Sequence, residues 1–407
     1  MKLGEFSSEV SKLLEDELIH HVYETSWGQV WQGGQLPKHV FKSFLSSVRD
    51  LSDAFTRERS YLKIRYLATK EGRNAYLLYF HMASVARTLA VLEEIHRRNL
   101  WMGGGIGESL RGNLRVLDLG TGGAPSLWAL GIAVQRYGGE IKELVAIDSE
   151  KKTLQDAREL WKRFNGRIHA SYPPLQTLRI NLLHQSAVRS LARLGQFDLI
   201  FCSNTLNELT RTRLPRHTLI FQQLMNMLTE SGMLIVIEPA LKETSRQLTL
   251  MRDSLLSKGD AHVPIPCGHS GLCPLNQEPR DWCHFEIEWL PPPLRNRLEK
   301  ALGHQSGILK YSYLVVKKGE GPSHPQYLRV ISDPLETKYG NLLLLCSPLQ
   351  KIGLRFDARK GSFRHLLRKC QRGDLLDISF PPRPGLYKVR NYAREVLINE
   401  DFQIEKV

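Results

Sequence analysis

The stretch VLDLGTGGAP, residues 116–125, constrains the fold more than any other part of the sequence. Gly120 and Gly122 follow a short apolar run, so the backbone can turn sharply there and approach a ligand without a Cβ in the way. Pro125 suits the first turn of a helix, where its missing N–H costs nothing. A strand, a glycine turn and a helix in this order predict a nucleotide-binding α/β fold. The pattern could equally serve a dinucleotide, a nucleoside or only a tight turn.

The apolar runs around this stretch predict a parallel sheet, because short runs alternate with helical segments. The predicted strands are residues 114–119, 143–148, 197–202, 233–238 and 311–318. Upstream, apolar residues at steps of three and four across residues 77–95 predict a helix with one apolar face.

Three parts are expected along the chain. Residues 1–105 predict a helical region that ends in a glycine-rich linker at 103–107, and residues 106–320 predict a Rossmann-like domain with an inserted cysteine-rich loop at 262–290. Residues 321–407 predict a small, basic, β-rich domain. We expect no membrane span, since no apolar run approaches 18 residues. The acidic N-terminal stretch does not resemble a signal or transit peptide, so we expect a cytoplasmic protein.

Two acidic residues narrow the meaning of the glycine turn. Asp118 precedes the turn, and Asp148 ends the next strand, where a carboxylate can accept hydrogen bonds from ribose hydroxyls. The spacing is GxGxA rather than GxGxxG and resembles motif I of the class I S-adenosylmethionine-dependent methyltransferases. That resemblance implies S-adenosylmethionine (SAM) as the cofactor, bound by Asp118, Gly120, Gly122 and Asp148.

The strand that precedes CSNTLNEL leaves the chemistry of the site open. Asn204 could face the methyl-donor end of a bound cofactor, or it could cap the following helix. Cys202 lies in an apolar strand and is expected to be a core residue. The Asn/Asp-Pro-Pro-aromatic motif of amino-group methyltransferases is missing, so we predict no catalytic base.

Three of the six cysteines fall within PCGHSGLCPLNQEPRDWCHF, at Cys267, Cys273 and Cys283. Clustered cysteines in a reducing compartment are typical of metal sites, and thiolates suit zinc or an iron–sulfur cluster. The alternative to a metal site is that the three cysteines are free thiols. The candidates for a fourth ligand are His269, His284, Cys346 and Cys370.

The net charge of +14 is concentrated near the C-terminal end, where residues 291–407 carry 21 Lys and Arg against 11 Asp and Glu. The pattern predicts either a solvated basic face or a patch that contacts phosphates. This basic patch comprises Lys351, Arg355, Arg359, Lys360, Arg364, Arg368, Lys369 and Arg372.

Several motifs together resemble a known family, the mitochondrial small-ribosomal-subunit methyltransferase-like assembly factors and their bacterial relatives. They are CxHxxxCP at 267–274, DWCHF at 281–285, LDLGTGGAP, and YGNLLLLCSP followed by RKCQRGDLLD. The resemblance implies a SAM-binding domain, association with the small ribosomal subunit and its rRNA, and a [4Fe–4S] cluster. It places the cluster ligands at Cys267, Cys273, Cys283 and Cys346.

If methyl transfer does not occur, the resemblance still allows a non-catalytic RNA-binding assembly factor that uses the cofactor and the cluster structurally. A small-molecule methyltransferase with a zinc site is a further alternative. We expect a methyltransferase that acts on RNA.

Overall fold

A computed structural model describes most of the 407 residues. The described residues are 8–56, 66–100, 113–209, 216–304, 307–321, 327–338, 340–348, 350–356, 359, 364–379, 386–388, 394–397 and 403–406. The chain divides into two compact units. We call residues 2–232 and 287–309 the glycine-loop unit, and residues 233–286 and 310–407 the cysteine unit. These units do not follow the bounds of the three expected domains, which stay a prediction.

The helices and strands are numbered along the whole chain. The helices are α1 (Ser8–Trp27), α2 (Lys38–Thr56), α3 (Lys70–Ala75), α4 (His81–Arg97), α5 (Pro125–Tyr137), α6 (Lys151–Arg167), α7 (Ala187–Ala192), α8 (Leu206–Leu209), α9 (Arg216–Asn226), α10 (Lys242–Leu256), α11 (Pro293–Leu302) and α12 (Arg364–Arg368). The strands are β1 (Leu114–Leu119), β2 (Ile141–Asp148), β3 (Leu175–Arg179), β4 (Phe197–Ser203), β5 (Leu228–Pro239), β6 (Ala261–Ile265), β7 (Phe285–Glu288), β8 (Ile308–Lys318), β9 (Leu328–Val330), β10 (Leu335–Thr337), β11 (Gly340–Cys346), β12 (Lys351–Phe356), β13 (Leu375–Ser379), β14 (Leu386–Lys388), β15 (Arg394–Leu397) and β16 (Gln403–Lys406).

A parallel sheet organises the glycine-loop unit, with the strand order β3-β2-β1-β4. Asp118 is in register with Ala146 of β2 and Phe201 of β4, so the carboxyl ends of the three strands lie side by side. The central strands are almost continuously buried, as expected for a parallel sheet covered by helices on both faces. The predicted α/β fold class is therefore confirmed.

The helix predicted across residues 77–95 is present, and its apolar positions are buried. A π-helical turn, Tyr76–Phe80, joins α3 to α4. Nearly every other residue of α4 is buried as well, including His81, Glu93 and Glu94, which the apolar spacing alone did not indicate. By length and composition the segment Lys70–Arg97 could cross a membrane, but 83% of its most apolar window is buried inside the protein.

The cysteine unit contains strands of two sheets. In the first, β8 pairs antiparallel with both β5 and β6. The second has the order β14-β15-β12-β11-β9-β13-β16, with β10 paired to β11. Its core is aliphatic and contains Val330, Leu343, Leu345 and Leu354. This second sheet confirms the expected β-rich C-terminal part. The predicted linker at 103–107 lies outside the described residues.

Candidate functional site

The glycine loop between β1 and α5 has the conformation that its residue types require. Gly120 and Gly122 have φ angles of +64° and +53°, and Ala124, which precedes α5, is also left-handed at +65°. A Cβ at position 120 would lie 2.2 Å from the Thr205 hydroxyl oxygen. That hydroxyl donates to the Leu119 carbonyl at 3.0 Å. Gly120 is therefore needed for packing against Thr205 whether or not a ligand binds.

Asp118 lies beneath the glycine loop. Its carboxylate accepts a hydrogen bond of 2.6 Å from the Thr121 hydroxyl, and only 1% of the residue is exposed. Burial raises the pKa of Asp118 to about 7, against the opposing effect of the Thr121 hydrogen bond. Among the five cofactor residues predicted from the sequence, Asp118 is the one that does not line the pocket described below. Asp118 therefore holds the glycine loop in place through its hydrogen bond with Thr121.

Asp148 connects the end of β2 to the same loop. Its two carboxylate oxygens accept hydrogen bonds from the backbone N–H of Gly122, at 3.2 Å, and of Glu150, at 3.0 Å. Burial raises the pKa of Asp148, while these backbone donors lower it. A carboxylate is the kind of acceptor that ribose hydroxyls require.

A pocket of about 550 Å³ opens beside the glycine loop and lies wholly within the glycine-loop unit. The structure brings four of the predicted residues together in its lining: Gly120, Gly122, Asp148 and Asn204. Asn204 follows β4 in the left-handed region, at φ +56°, a conformation that asparagine tolerates better than most residues. A pocket of this volume is within the usual range for a small-molecule site. The cofactor roles of these residues stay a prediction.

Most of the pocket lining was not found from the sequence, including Tyr66, Tyr76 and Glu208. Tyr66 and Tyr76 come from the segment before the sheet, and Glu208 comes from α8. The Tyr66 hydroxyl lies 3.5 Å from a Glu208 carboxylate oxygen. Burial, together with the charge of Glu208, raises the pKa of Tyr66 well above its usual range. No motif marks these residues, since the two tyrosines lie about fifty residues before the loop in a segment that reads only as helical.

The second candidate site is a small cavity within the cysteine unit. Its lining includes the sulfur-bearing residues Cys267, Cys273, Cys283 and Cys346. Cys283 and Cys346 pack against a buried group formed by Cys273, Leu275 and Ile331. The structure therefore brings together the four residues that the family resemblance implies as ligands, from a loop and from strand β11.

Two glycines let the cysteine loop lie close to two segments, one just before β9 and one just after β11. A Cβ at Gly268 would lie 2.2 Å from the Tyr327 carbonyl oxygen, and a Cβ at Gly271 would lie 2.5 Å from the Pro348 carbonyl oxygen. Both obstacles are backbone atoms, which cannot swing aside as a flexible side chain can. The glycines of PCGHSGLC are thus required for Cys346 to reach the loop.

Burial controls the protonation of the thiols. It raises the pKa of Cys273 to about 12, with the neighbouring Cys267 adding to the shift. Burial and the nearby thiols also raise the pKa values of Cys283 and Cys346. Thiolates are the metal-binding form, so a bound cation is needed to deprotonate such groups near neutral pH.

The other ligand candidates lie in different surroundings. His269 lines the cavity, its Nε2 lies 3.3 Å from the Cys346 sulfur, and burial lowers its pKa to about 4. The ring of His284 instead lies 3.2 Å from the Trp282 carbonyl and outside the cavity lining. Cys202 is fully buried in β4, and Cys370 belongs to the aliphatic core of the second sheet.

Within the described ranges, no three His, Cys, Asp or Glu side chains are placed to hold a single metal ion. The four thiols of the cavity suit either zinc or an iron–sulfur cluster by their chemistry.

The basic patch is only partly available to a partner. The Lys351 ammonium contacts the Asp281 carboxylate and is 12% exposed, and Arg355 donates to the Thr337 hydroxyl at 2.9 Å. Arg368 and Lys369, in contrast, are exposed at the end of α12. Lys360 lies outside the described residues, as does the side chain of Arg364.

A comparison with protein families finds one match. The model of the family described as mitochondrial small ribosomal subunit Rsm22 matches residues 111–377, about two thirds of the chain. The match includes the glycine loop and all four cysteines of the cavity. It confirms the family resemblance inferred from the motifs. A comparison with curated proteins gave no significant match.

Solved structures of several methyltransferases are similar to parts of the chain. A protein from Listeria monocytogenes assigned to the class I S-adenosylmethionine-dependent methyltransferases is 11% identical, with 78% of this chain and 91% of that chain covered and a TM-score of 0.37. The plantazolicin methyltransferase BpumL in complex with SAH is 11% identical, covering 70% and 99%, with a TM-score of 0.32. Precorrin-6y C5,15-methyltransferase from Geobacter metallireducens is 14% identical, covering 58% and 87%, also at 0.32. Such scores are too low to establish a shared fold, which rests here on the strand order.

Proposed function

Since the chain belongs to the family described as mitochondrial small ribosomal subunit Rsm22, we propose that it is a SAM-dependent methyltransferase-like protein of the small ribosomal subunit. We further propose that it acts on the rRNA of that subunit, in the cytoplasm, and that it carries an iron–sulfur cluster. The pocket beside the glycine loop is the observation that carries the proposal. It combines two left-handed glycines, a buried carboxylate and room for a nucleoside.

The residues of the pocket fit the parts of SAM. Asp148 lines the pocket with a carboxylate that can accept from ribose hydroxyls. Gly122 presents its backbone to the pocket, and its N–H orients Asp148 rather than the ligand. Asn204 lies at the carboxyl end of β4, where an α/β sheet places the reacting end of its ligand. When bound, SAM supplies an electrophilic methyl group for transfer to a nucleophile.

Cofactor binding tests this assignment directly. Isothermal titration of the full-length protein with SAM should show binding that Asp148→Ala weakens by about 10- to 100-fold, the value of hydrogen bonds to a charged acceptor. Glu143→Ala is the matched control, because Glu143 lies on the same strand but pairs with Arg115. Absent binding by the wild-type protein, or equal binding by Asp148→Ala, would contradict the assignment.

The proposed cluster rests on the four thiols that line one cavity. Cys267, Cys273, Cys283 and Cys346 provide the four thiolates that a [4Fe–4S] cluster takes. Four thiolates suit zinc as well, and the resemblance of the cysteine motifs to the family favours the cluster. Bound in this way, the cluster would tie the cysteine loop to strand β11.

A non-catalytic assembly factor is the second candidate, and the basic patch favours it. Arg368 and Lys369 are exposed and accompanied by further basic residues in sequence, so they can contact phosphates without any help from the pocket. This candidate predicts that Asp148→Ala weakens SAM binding but leaves association with the small subunit intact. The methyltransferase and the assembly factor therefore differ in whether labelled methyl groups appear in RNA.

A further inference from the structure

Arg252 is the most deeply buried cation of the cysteine unit within the described residues. It lies on α10 with 0% of its surface exposed, and its guanidinium borders the cavity that the four thiols share. Burying a guanidinium is costly unless anions or well-aligned acceptors surround it. The contacts of Arg252 therefore indicate what the cavity has to contain.

The guanidinium donates hydrogen bonds to the backbone of the cysteine loop, to the Asp253 carboxylate and to the Cys267 sulfur. One Nη atom donates to the Gly271 carbonyl and to the Asp253 carboxylate, both at 2.6 Å, and the other donates to the His269 carbonyl at 2.7 Å. The remaining donor, Nε, points at the Cys267 sulfur at 3.2 Å. Two carbonyls and the Asp253 carboxylate thus fix the guanidinium, and its Nε–H is directed at the Cys267 sulfur.

Asp253 also fixes the cysteine loop. Its carboxylate accepts from the backbone N–H of Cys273 at 3.0 Å and from the Asn276 side chain at 3.0 Å. A second arginine, Arg329, borders the same cavity with 4% of its surface exposed, and it donates to the Pro266 carbonyl at 2.8 Å. The two guanidinium groups of Arg252 and Arg329 form a positive wall of the cavity.

We propose that Arg252 is a positioning residue for the thiolate site: it fixes the cysteine loop and provides a charge-assisted hydrogen bond to the Cys267 sulfur, while Arg329 adds a second positive charge. The inference rests on the proposed four-thiolate site. Four thiolates around a [4Fe–4S]²⁺ core have a net charge of −2, and the same charge results around Zn²⁺. The positive wall offsets this charge for either occupant.

The charge also has a consequence for electron transfer if the occupant is an iron–sulfur cluster. One-electron reduction makes the cluster more negative, so a nearby positive charge stabilises the reduced form more than the oxidised form. Hydrogen bonds to the sulfur atoms act in the same direction. Loss of Arg252 should therefore move the reduction potential to a more negative value.

Arg246 provides a matched control on the same helix. Its guanidinium also holds the cysteine loop, through the carbonyls of Leu275, Asn276, Glu278 and Asp281, but it does not border the cavity. Replacing Arg246 removes backbone support and leaves the charge at the thiols unchanged. A purely mechanical role for Arg252 would therefore give the two variants the same behaviour.

The test uses the full chain, purified without oxygen as wild type, Arg252→Gln, Arg252→Lys and Arg246→Gln. Iron, sulfide and zinc are assayed per chain, and metal loss is followed spectroscopically under excess chelator. A redox titration gives the midpoint potential. We expect Arg252→Gln to lose metal about 10- to 100-fold faster than wild type and to have a more negative potential. Arg252→Lys should be intermediate, and Arg246→Gln should have the wild-type potential.

Equal loss rates and equal potentials for Arg252→Gln and Arg246→Gln would overturn the inference while leaving the cluster in place. Wild-type protein without iron, sulfide or zinc would overturn the metal site and this inference together. If Arg252→Gln does not fold, Arg252→Lys is compared with Arg246→Lys by the rate of metal loss. Lysine keeps the charge but cannot reproduce the fork of hydrogen bonds, so only Arg252→Lys should lose metal faster than wild type.

Discussion

Substitution of Gly271 by alanine tests whether the cysteine loop packs directly on the segment after β11. The added Cβ would lie 2.5 Å from the Pro348 carbonyl oxygen and 3.3 Å from two further Pro348 backbone atoms. An ordinary contact needs at least 3.4 Å, so the loop has to move by nearly 1 Å. The Gly271 carbonyl also accepts from Arg252 at 2.6 Å, and that hydrogen bond would be strained by the same movement.

Overpacking of this kind costs about 1–3 kcal/mol. For a folded unit of this size, the cost corresponds to a melting temperature roughly 2–12 °C lower. Differential scanning calorimetry of the full-length protein measures the change, and metal content measured on the same samples should also fall. Gly166→Ala is the control, because a Cβ there, in the last turn of α6, meets no atom within 4 Å. An unchanged melting temperature with full metal content in Gly271→Ala would refute the packing argument.

Three further predictions concern separate parts of the protein. Metal analysis should show that Cys346→Ser loses metal and that Cys370→Ser retains it, because only Cys346 borders the cavity. A full complement of metal in Cys346→Ser would exclude Cys346 as a ligand. Burial raises the pKa of Glu15 to about 7, so the protonated carboxyl favours the folded state. This contribution to the free energy of unfolding is fully present below pH 4.5 and is lost as the pH rises through 7. Calorimetry should therefore show that Glu15→Gln removes up to about 3 kcal/mol of pH dependence, and an unchanged slope would contradict this. Reversing the charges of Arg368 and Lys369 should make the logarithmic salt dependence of RNA binding shallower by about 2; equal binding at every salt concentration would count against the patch.

The parts of the fold that follow from local patterns were predictable from the sequence. Strand β1 has the predicted bounds, 114–119, because a dense apolar run ends there at a glycine turn. Strand β3 was missed, since LQTLR is short, mostly exposed and preceded by two prolines. The helix over 77–95 was predicted, but the burial of its polar residues, such as His81, was not, because it depends on neighbours far away in the sequence.

The candidate sites show the same division. Gly122 and Asp148 could be named because the turn and the strand end are local features, and the structure then joins them by a hydrogen bond. The grouping of Cys346 with the other three cysteines required a family resemblance, since it depends on the packing of a distant strand. Arg252 has no sequence signal at all: an arginine in a helix rich in polar residues is expected at the surface, and only the folded loop reveals its contacts.

The central claim is that the chain transfers a methyl group from SAM to RNA of the small ribosomal subunit. The direct measurement is incubation of the full-length protein with methyl-labelled SAM and immature small subunits, followed by separation of RNA from protein. Label in the rRNA with the wild-type protein, and none with Asp148→Ala, is the predicted result. Confirmed binding of SAM without label in RNA or protein would contradict the claim and leave the assembly factor as the function.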